Sequence, residues 1–206
     1  MDNTPNIAVL ILAAGESSRM GDKVKQVLPW KDYNLLGNTV NQAKACIADD
    51  TYVVLGAYEE IIKAEVNFND NSIIQNPDWK NGLGSSITAG MNYFESKALA
   101  FDAVLIMLAD QPLIDTNYLN KMIGNWKGNS SKIITTQYEG RSGVPAIFGK
   151  EYFHELQKLN KDFGAKDIIT SHKDSILALH PEGKEVDIDN WEAYQDLIEN
   201  KSKKNQ

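Results

Sequence analysis

Cysteine and histidine are scarce in this sequence, which restricts its redox and metal chemistry. The one cysteine, Cys46, cannot form a disulfide within the chain, and this fits a reducing compartment. Its helical sequence context predicts a small buried apolar residue. His154, His172 and His180 lie far apart without zinc-site spacing, so we expect no histidine metal cage. The serine-nucleophile pattern Gly-x-Ser-x-Gly is also absent.

The sequence also lacks an excess of positive charge and any long apolar run. Lys and Arg number 21 against 28 Asp and Glu, and the net charge of -7 argues against a nucleic-acid partner. The apolar run IAVLI at residues 7–11 is too short to span a bilayer, and Asp2 rather than a cation precedes it. We therefore expect a cytoplasmic protein with neither membrane nor nucleic-acid partners.

Apolar runs alternate with amphipathic stretches along the chain. Strands are predicted at residues 7–14, 51–57, 72–76, 101–110, 132–138, 144–148 and 175–179. Helices are predicted at residues 38–48, 58–66, 85–96, 117–126, 151–159, 165–172 and 190–200, and EGRSG at residues 139–143 is predicted as a turn.

This β-α-β-α alternation predicts an α/β fold in which right-handed crossovers place helices on both faces of a mostly parallel sheet. The length of 206 residues predicts a single domain at residues 1–201. The polar tail at residues 202–206 is predicted to be frayed.

Chemistry is expected where the parallel strands end, because ligands bind at the carboxyl edge of such sheets. The first strand is followed by a glycine loop with Arg19, the third by NPD and then GLGSS at residues 82–86, and the fourth ends at Asp110. Donors, cations and a carboxylate are therefore predicted to converge on one edge.

Neither common phosphate-binding fingerprint accounts for the first loop. Five residues separate Gly15 from Gly21, and Asp22 precedes Lys23, so the P-loop pattern fails; Gly-x-Gly-x-x-Gly is absent. The loop is either an anion-binding turn or an exposed charged loop. Asp110 either caps a turn or holds Mg²⁺, and Asp187 and Asp189 form a second acidic spot.

Several ordered motifs carry a family resemblance. They are LAAGESSRMG at residues 12–21 with a lysine before Leu-Pro, NPDWKNGLGSSI at 76–87, LADQP at 108–112, GVPAIF at 143–148, DFGAK at 162–166 and VDID at 186–189. Together they resemble the molybdenum cofactor cytidylyltransferases, a branch of the MobA-like NTP transferases. The resemblance implies a three-layer α/β/α, nucleotide-diphospho-sugar-transferase-like (Rossmann-like) fold.

The resemblance also implies roles for individual residues. Arg19, Lys25 and Asp110 would be catalytic, Asp110 and Asp189 would hold Mg²⁺, and Asp187 competes with Asp189. Lys23 competes with Lys25, because the gap after Gly21 is one residue longer than usual for the family. The nucleotide-binding residues implied are Leu12, Ala13, Ala14, Gly15, Arg19, Lys25, Gly84, Ser85 and Ser86.

The implied reaction is CMP transfer from CTP to the phosphate of a molybdopterin-type acceptor. Ala14 favours CTP over GTP, because guanylyl-transferring relatives carry glycine there. Residues 138–148 and 162–166, with Arg141 and Lys166, are candidates for the acceptor pocket. The resemblance further suggests a xanthine-dehydrogenase-like molybdoenzyme as the receiving partner. Alternatives are another cytidylyl- or guanylyltransferase, for a sugar phosphate or other acceptor, a pyridine-pigment reductase relative, or a non-catalytic molybdenum cofactor carrier.

Overall fold

We describe the protein from a computed structural model at residues 5–68, 72–126, 131–159 and 164–204. Within these ranges no helix has both the length and the apolar character needed to cross a membrane. The strands are β1 (Ile7–Leu12), β2 (Pro29–Trp30), β3 (Tyr33–Asn34), β4 (Asp50–Leu55), β5 (Ile73–Gln75), β6 (Ala103–Leu108), β7 (Ile133–Tyr138), β8 (Arg141–Gly149) and β9 (Ile176–Leu179).

One seven-stranded sheet has the order β5-β4-β1-β6-β8-β7-β9. Strands β5, β4, β1 and β6 are parallel, as are β7 and β9, whereas β8 runs antiparallel to both β6 and β7. The predicted mostly parallel sheet is confirmed. Leu12 pairs with Leu108, so the loops after β1 and β6 leave the same edge of the sheet.

Helices cover both faces of the sheet, which confirms the three-layer α/β/α arrangement. They are α1 (Leu35–Lys44), α2 (Glu59–Glu65), α3 (Leu83–Ser96), α4 (Thr116–Trp126), α5 (Phe153–Leu156), α6 (Lys166–Ser171) and α7 (Trp191–Lys204). Helices α1, α2 and α4 pack on one face, and α3, α5 and α6 on the other. Every residue of β1 is buried, as its continuous apolar run predicted.

Cys46 is a buried member of the first of these cores, as predicted. Desolvation by burial raises the pKa of its thiol. The side chain therefore behaves as a small apolar residue rather than as a reactive thiolate.

Several predicted boundaries were wrong. Strand β8 begins at Arg141, so only Glu139 and Gly140 form the turn, and Arg141 pairs directly with Tyr138. Gly140 has φ +73°, which allows so tight a connection. Helix α1 begins at Leu35, because the Asn34 side chain accepts a hydrogen bond from the Gly37 amide.

Two other helix ends also differ from the prediction. Helix α3 begins at Leu83 rather than after Gly84, so the predicted GLG turn is shorter. Helix α7 ends at Lys204 rather than at residue 200, and residues 205–206 lie outside the described residues. The frayed tail at residues 202–206 stays a prediction. The single-domain organisation over residues 1–201 stays a prediction.

A third apolar cluster joins the two ends of the chain. Met20, Leu28 and Trp30, which follow β1, pack with Ile188 and Tyr194 from the C-terminal segment. The Tyr194 hydroxyl donates a hydrogen bond to the Pro29 carbonyl at 2.7 Å. Through these contacts the acidic segment at residues 187–189 is held beside the carboxyl edge of the sheet.

Candidate active site

The glycine loop after β1 is supported by the buried side chain of Gln26. Its Nε2 donates to the carbonyls of Ala13 at 3.0 Å and Gly15 at 2.9 Å, and its Oε1 accepts from the Ser17 hydroxyl at 3.3 Å. Gln26 is only 4% exposed. A buried amide with these partners fixes the path of the loop, because leaving them unpaired is costly.

Lys25, not Lys23, points to the end of β6. Its ammonium lies 2.7 Å from Asp110 Oδ2 and 3.0 Å from the Ile188 carbonyl oxygen. Lys23 instead lies over the Trp191 ring, with Nζ 4.6 Å from the ring centroid. The geometry therefore favours Lys25 as the lysine of the site, although its role in catalysis stays a prediction.

Three carboxylates gather near the ends of β6 and β7. The Ile188 amide donates to the Asp110 carbonyl at 2.9 Å, which places Asp187 and Asp189 on either side of that contact. Desolvation by burial raises the pKa of Asp187, and the charges of Asp110 and Asp189 raise it further. The site therefore concentrates negative charge that a cation would offset.

Asp110 has the chemistry of a hard-cation ligand. Its Oδ1 is buried and has no hydrogen-bond partner among the described residues, while Oδ2 is held by Lys25. The described residues contain no cluster of three or more His, Cys, Asp or Glu that could form a complete metal cage. A Mg²⁺ site needs only one or two carboxylates, because substrate phosphates and waters supply the other ligands. The unpaired oxygen of Asp110 fits that role.

Arg19 lies at an exposed position outside the residues that line the cleft. Its Nη1 is 3.9 Å from Asp189 Oδ2, and the two side chains are 75% and 59% exposed. Such an exposed pair contributes little to stability. The packing of the core therefore does not depend on Arg19. Its binding of phosphates stays a prediction.

A cleft of about 340 Å³ opens at this edge of the sheet. Seven of the predicted site residues line it. They are Leu12, Ala13, Ala14, Gly15, Lys25, Ser86 and Asp110. Gly84 and Ser85 do not line it. The Ser85 hydroxyl donates to the Gly82 carbonyl and accepts from Asn76, so it faces the turn before α3.

Sequence reasoning missed several residues of the site. Gln26, Trp79, Gly82 and Leu83 line the cleft, and none was predicted as a binding residue. Trp79 belongs to the quoted motif NPDWKNGLGSSI, so the motif contained the signal. Gln26 directly follows Lys25, but its role depends on contacts with a loop eleven positions earlier in the chain.

A second cavity of about 180 Å³ adjoins the cleft and shares Leu83 and Leu108 with it. Tyr138, Arg141 and Lys166, predicted for the acceptor, line it together with Gln111 and Asp187. Residues 162–163 of the predicted acceptor segment lie outside the described residues.

Gln111 is one of the residues that line the second cavity. Its Nε2 donates to Asp187 Oδ1 at 2.7 Å and to the Tyr138 hydroxyl at 2.5 Å, and that hydroxyl donates to the Val144 carbonyl. Burial raises the pKa of Tyr138, so its hydroxyl stays protonated. Arg141 covers the Tyr138 ring, with Cζ 5.3 Å from the centroid. The cavity therefore combines a cation with fixed hydrogen-bonding groups.

Comparisons with known proteins agree with this architecture. The family model described as the MobA-like NTP transferase domain matches residues 9–176. Nicotine blue oxidoreductase of Paenarthrobacter nicotinovorans is 28% identical over 119 residues, which are 58% of this chain and 56% of that protein. The bifunctional protein GlmU of Bifidobacterium adolescentis is 30% identical over 144 residues, 68% of this chain and 31% of GlmU. The chain thus spans less than two thirds of these relatives.

Solved structures extend the similarity to nearly the whole chain. A homologue of Mycobacterium tuberculosis Rv0371c from Mycobacterium sp. strain JC1 has a TM-score of 0.80 at 27% identity, covering 94% of this chain and 96% of that chain. Rv0371c from Mycobacterium tuberculosis H37Rv, in complex with manganese, has a TM-score of 0.78 at 25% identity, covering 94% and 98%. A nucleotidyl transferase from Methanothermobacter thermautotroptrophicus, with a TM-score of 0.79 at 17% identity over 95% and 97%, shares the fold.

Proposed function

Because the chain belongs to the MobA-like NTP transferase family, whose model matches residues 9–176, we propose that it is a nucleotidyltransferase. The specific reaction proposed is transfer of CMP from CTP to the phosphate of a molybdopterin-type acceptor, with release of pyrophosphate. The observation that best supports it is the meeting of Lys25 and Asp110 at 2.7 Å in a cleft bounded by the glycine loop.

The main chemical difficulty of this reaction is concentrated negative charge. In the proposed mechanism the Lys25 ammonium binds phosphate oxygens of the triphosphate, and the loop from Leu12 to Gly15 offers backbone groups to the nucleotide. Arg19, whose exposed side chain lies near Asp189, would bind the outer phosphates. A divalent cation held by Asp110 and Asp189, with Asp187 as the competing ligand, supplies further charge when bound; Mg²⁺ is the proposed ion.

Bond changes in the transfer are simple. An oxygen of the acceptor phosphate attacks the α-phosphorus in line, a new P–O bond forms, and the bond to the β-phosphate oxygen breaks with release of pyrophosphate. The attacking phosphate is already anionic at neutral pH, so no strong general base is needed. This requirement is compatible with the lining of the cleft, to which no histidine of the described residues contributes.

The second cavity is the proposed acceptor site. Arg141 and Lys166 line it and are suited to the anionic phosphate of the acceptor. Gln111 and Asp187 offer fixed polar groups to the remainder of the acceptor. Leu83 and Leu108 line both this cavity and the nucleotide cleft, so substrates bound in the two would lie side by side. A xanthine-dehydrogenase-like molybdoenzyme remains the proposed recipient, and the cytoplasm the proposed location.

The similarity to nicotine blue oxidoreductase supports one competing function, an oxidoreductase related to the pyridine-pigment reductases. The gathering of Asp110, Asp187 and Asp189 favours transfer instead, because hydride transfer does not require metal-binding carboxylates. Two further alternatives use the same cleft: a transferase with another nucleotide or acceptor, and a carrier that binds the molybdenum cofactor without turnover.

A thermal-shift panel tests the proposal. CTP, GTP, UTP, ATP and NADPH are each added with Mg²⁺ and with a chelator, and the melting temperature is recorded. We expect CTP with Mg²⁺ to give the largest stabilisation, because a ligand that binds only the folded state raises its stability. Stabilisation by NADPH alone would favour the oxidoreductase. No shift with any nucleotide would overturn the proposal.

A further inference from the structure

Trp79 lies in the apolar part of the nucleotide cleft. The charged lining of the cleft comes from Lys25 and Asp110, whereas Trp79 and Leu83 contribute apolar surface near Ala14. Phosphates are attracted to the charged part, so the base of a bound nucleotide belongs in the apolar part. The indole is therefore placed to contact the base.

Gly56 allows Trp79 to lie against the glycine loop. A Cβ added at Gly56 would lie 2.7 Å from Trp79 Cβ and 2.9 Å from the Ala14 carbonyl oxygen, closer than real Cβ contacts allow. The next residue, Ala57, donates its amide to that same Ala14 carbonyl at 2.9 Å. Ala14, Gly56 and Trp79 thus form one packed wall.

The turn that carries Trp79 is also well anchored. The Asn76 side chain accepts from the Asp78 amide at 3.0 Å and donates to the Ser86 hydroxyl at 3.1 Å. The Trp79 carbonyl accepts from the Gly82 amide at 3.1 Å, and the Lys80 ammonium lies 5.4 Å from the indole centroid. These contacts restrain the indole, so it can act as a fixed boundary.

We propose that Trp79, seated against Gly56, is a specificity-determining residue that limits the base site to a pyrimidine. This inference rests on the proposed nucleotidyltransferase function and names the residue that selects its base. The volume of about 340 Å³ lies at the low end of the usual range for ligand sites, ~300–1,000 Å³, and a purine adds a second ring. The Ala14 methyl group restricts the same part of the cleft.

The test compares affinities for CTP and GTP, with Mg²⁺, by calorimetric titration of the whole protein. Wild type is expected to prefer CTP. Trp79→Ala is expected to lower the ratio of CTP to GTP affinity by about tenfold or more, mainly through tighter GTP binding, since apolar pocket contacts discriminate by ~10- to 200-fold. Trp79→Phe, which keeps an aromatic wall, should retain most of the preference.

Two further variants make the result specific. Gly56→Ala crowds both Trp79 and the Ala14 carbonyl, the two sides of the same wall, and should change the ratio in the same direction without altering the indole. Trp191→Ala removes a tryptophan that packs on Tyr194 and Lys23 outside the cleft, and should leave the ratio unchanged. The urea unfolding midpoint, followed by far-UV circular dichroism, checks that each variant is folded.

The possible failures can be told apart. If wild type binds CTP but Trp79→Ala keeps its CTP to GTP ratio, or loses both nucleotides equally, Trp79 is not the selecting residue and the proposed function stands. If wild type prefers GTP, the pyrimidine limit is wrong. If wild type binds neither nucleotide, the proposed function fails, and this inference fails with it.

Discussion

Lys25 occupies a position that would also suit a metal ion. Its ammonium is held by a carboxylate oxygen and a backbone carbonyl oxygen, Asp110 Oδ2 and Ile188 O, and both are oxygen ligands of the kind that Mg²⁺ or Mn²⁺ prefers. If Asp110 holds a divalent cation as proposed, Lys25 and that cation would compete for its carboxylate when no nucleotide is bound. In the proposed mechanism the triphosphate would draw the ammonium away from Asp110, so metal and nucleotide should bind cooperatively.

Lys25→Met is therefore expected to tighten Mn²⁺ binding in the absence of nucleotide. Two unit charges 4 Å apart interact by about 4 kcal/mol at an effective dielectric of ~20, so an affinity gain of tenfold or more is reasonable. Titration of free Mn²⁺ by electron paramagnetic resonance measures it. Lys23→Met is the matched control, because that side chain lies over Trp191. Unchanged or weaker Mn²⁺ binding by Lys25→Met would contradict the competition.

Asp110→Asn should lower turnover by about 100-fold or more while the fold is kept. The amide preserves the shape and one oxygen for Lys25, but it loses the charge that binds a cation, and loss of one such stabilising group costs about 10²- to 10³-fold in rate. Pyrophosphate release with CTP and acceptor measures the effect, and far-UV circular dichroism checks folding. Exposed Asp174→Asn is the control. Wild-type rates in Asp110→Asn would remove Asp110 from the mechanism and favour the carrier alternative.

Local patterns predicted the large elements well, and the reason is the periodicity of burial. Strand β1 is buried throughout and was read from its continuous apolar run, and the helices were read from their spacing. The insertion of β8 between β6 and β7 could not be read this way, because strand order depends on contacts distant in sequence. Arg141 was placed in a turn for its polarity, yet a strand residue that lines a cavity can be polar.

The candidate site was only partly predictable for a related reason. Lys25 and Asp110 stand out by type and by position after strands, and the structure brings them together. Gln26 and Gln111 are ordinary polar residues whose importance comes from buried hydrogen bonds with partners far along the chain. Trp79 looked like part of a motif, but its contact with Gly56 exists only in the folded molecule.

Gln26→Glu should destabilise the loop after β1 and with it the protein. The substitution removes the donor to the carbonyls of Ala13 and Gly15 and places a carboxylate against them in a buried position. We expect a loss of about 1–3 kcal/mol in the free energy of unfolding, or more if the carboxylate stays ionised. Urea unfolding measures it. Exposed Gln195→Glu on α7 should change stability by less than about 0.5 kcal/mol, and an equal effect in both variants would show that Gln26 does not support the loop.

The whole molecule brings its two ends together at the site. The matched family segment ends at residue 176, yet Asp187, Ile188 and Asp189 come later and reach the site through the cluster that includes Trp30 and Tyr194. The net charge of -7 makes the Lys25 ammonium at the cleft important for the proposed function, since a triphosphate would have to approach an acidic protein. The C-terminal segment is therefore part of the candidate site.

Unfolding should accordingly be a single cooperative transition, as expected for one domain at residues 1–201. The tryptophans sample all three apolar clusters: Trp126 packs on one face of the sheet, Trp79 on the other, and Trp30 and Trp191 beside the C-terminal segment. Tryptophan fluorescence should therefore give the same urea midpoint as far-UV circular dichroism. Trp191→Phe and Trp30→Phe allow the C-terminal signal to be separated from the rest. An earlier fluorescence transition that disappears in those variants would mean that the C-terminal segment opens on its own, and that Asp189 leaves the site before the sheet unfolds.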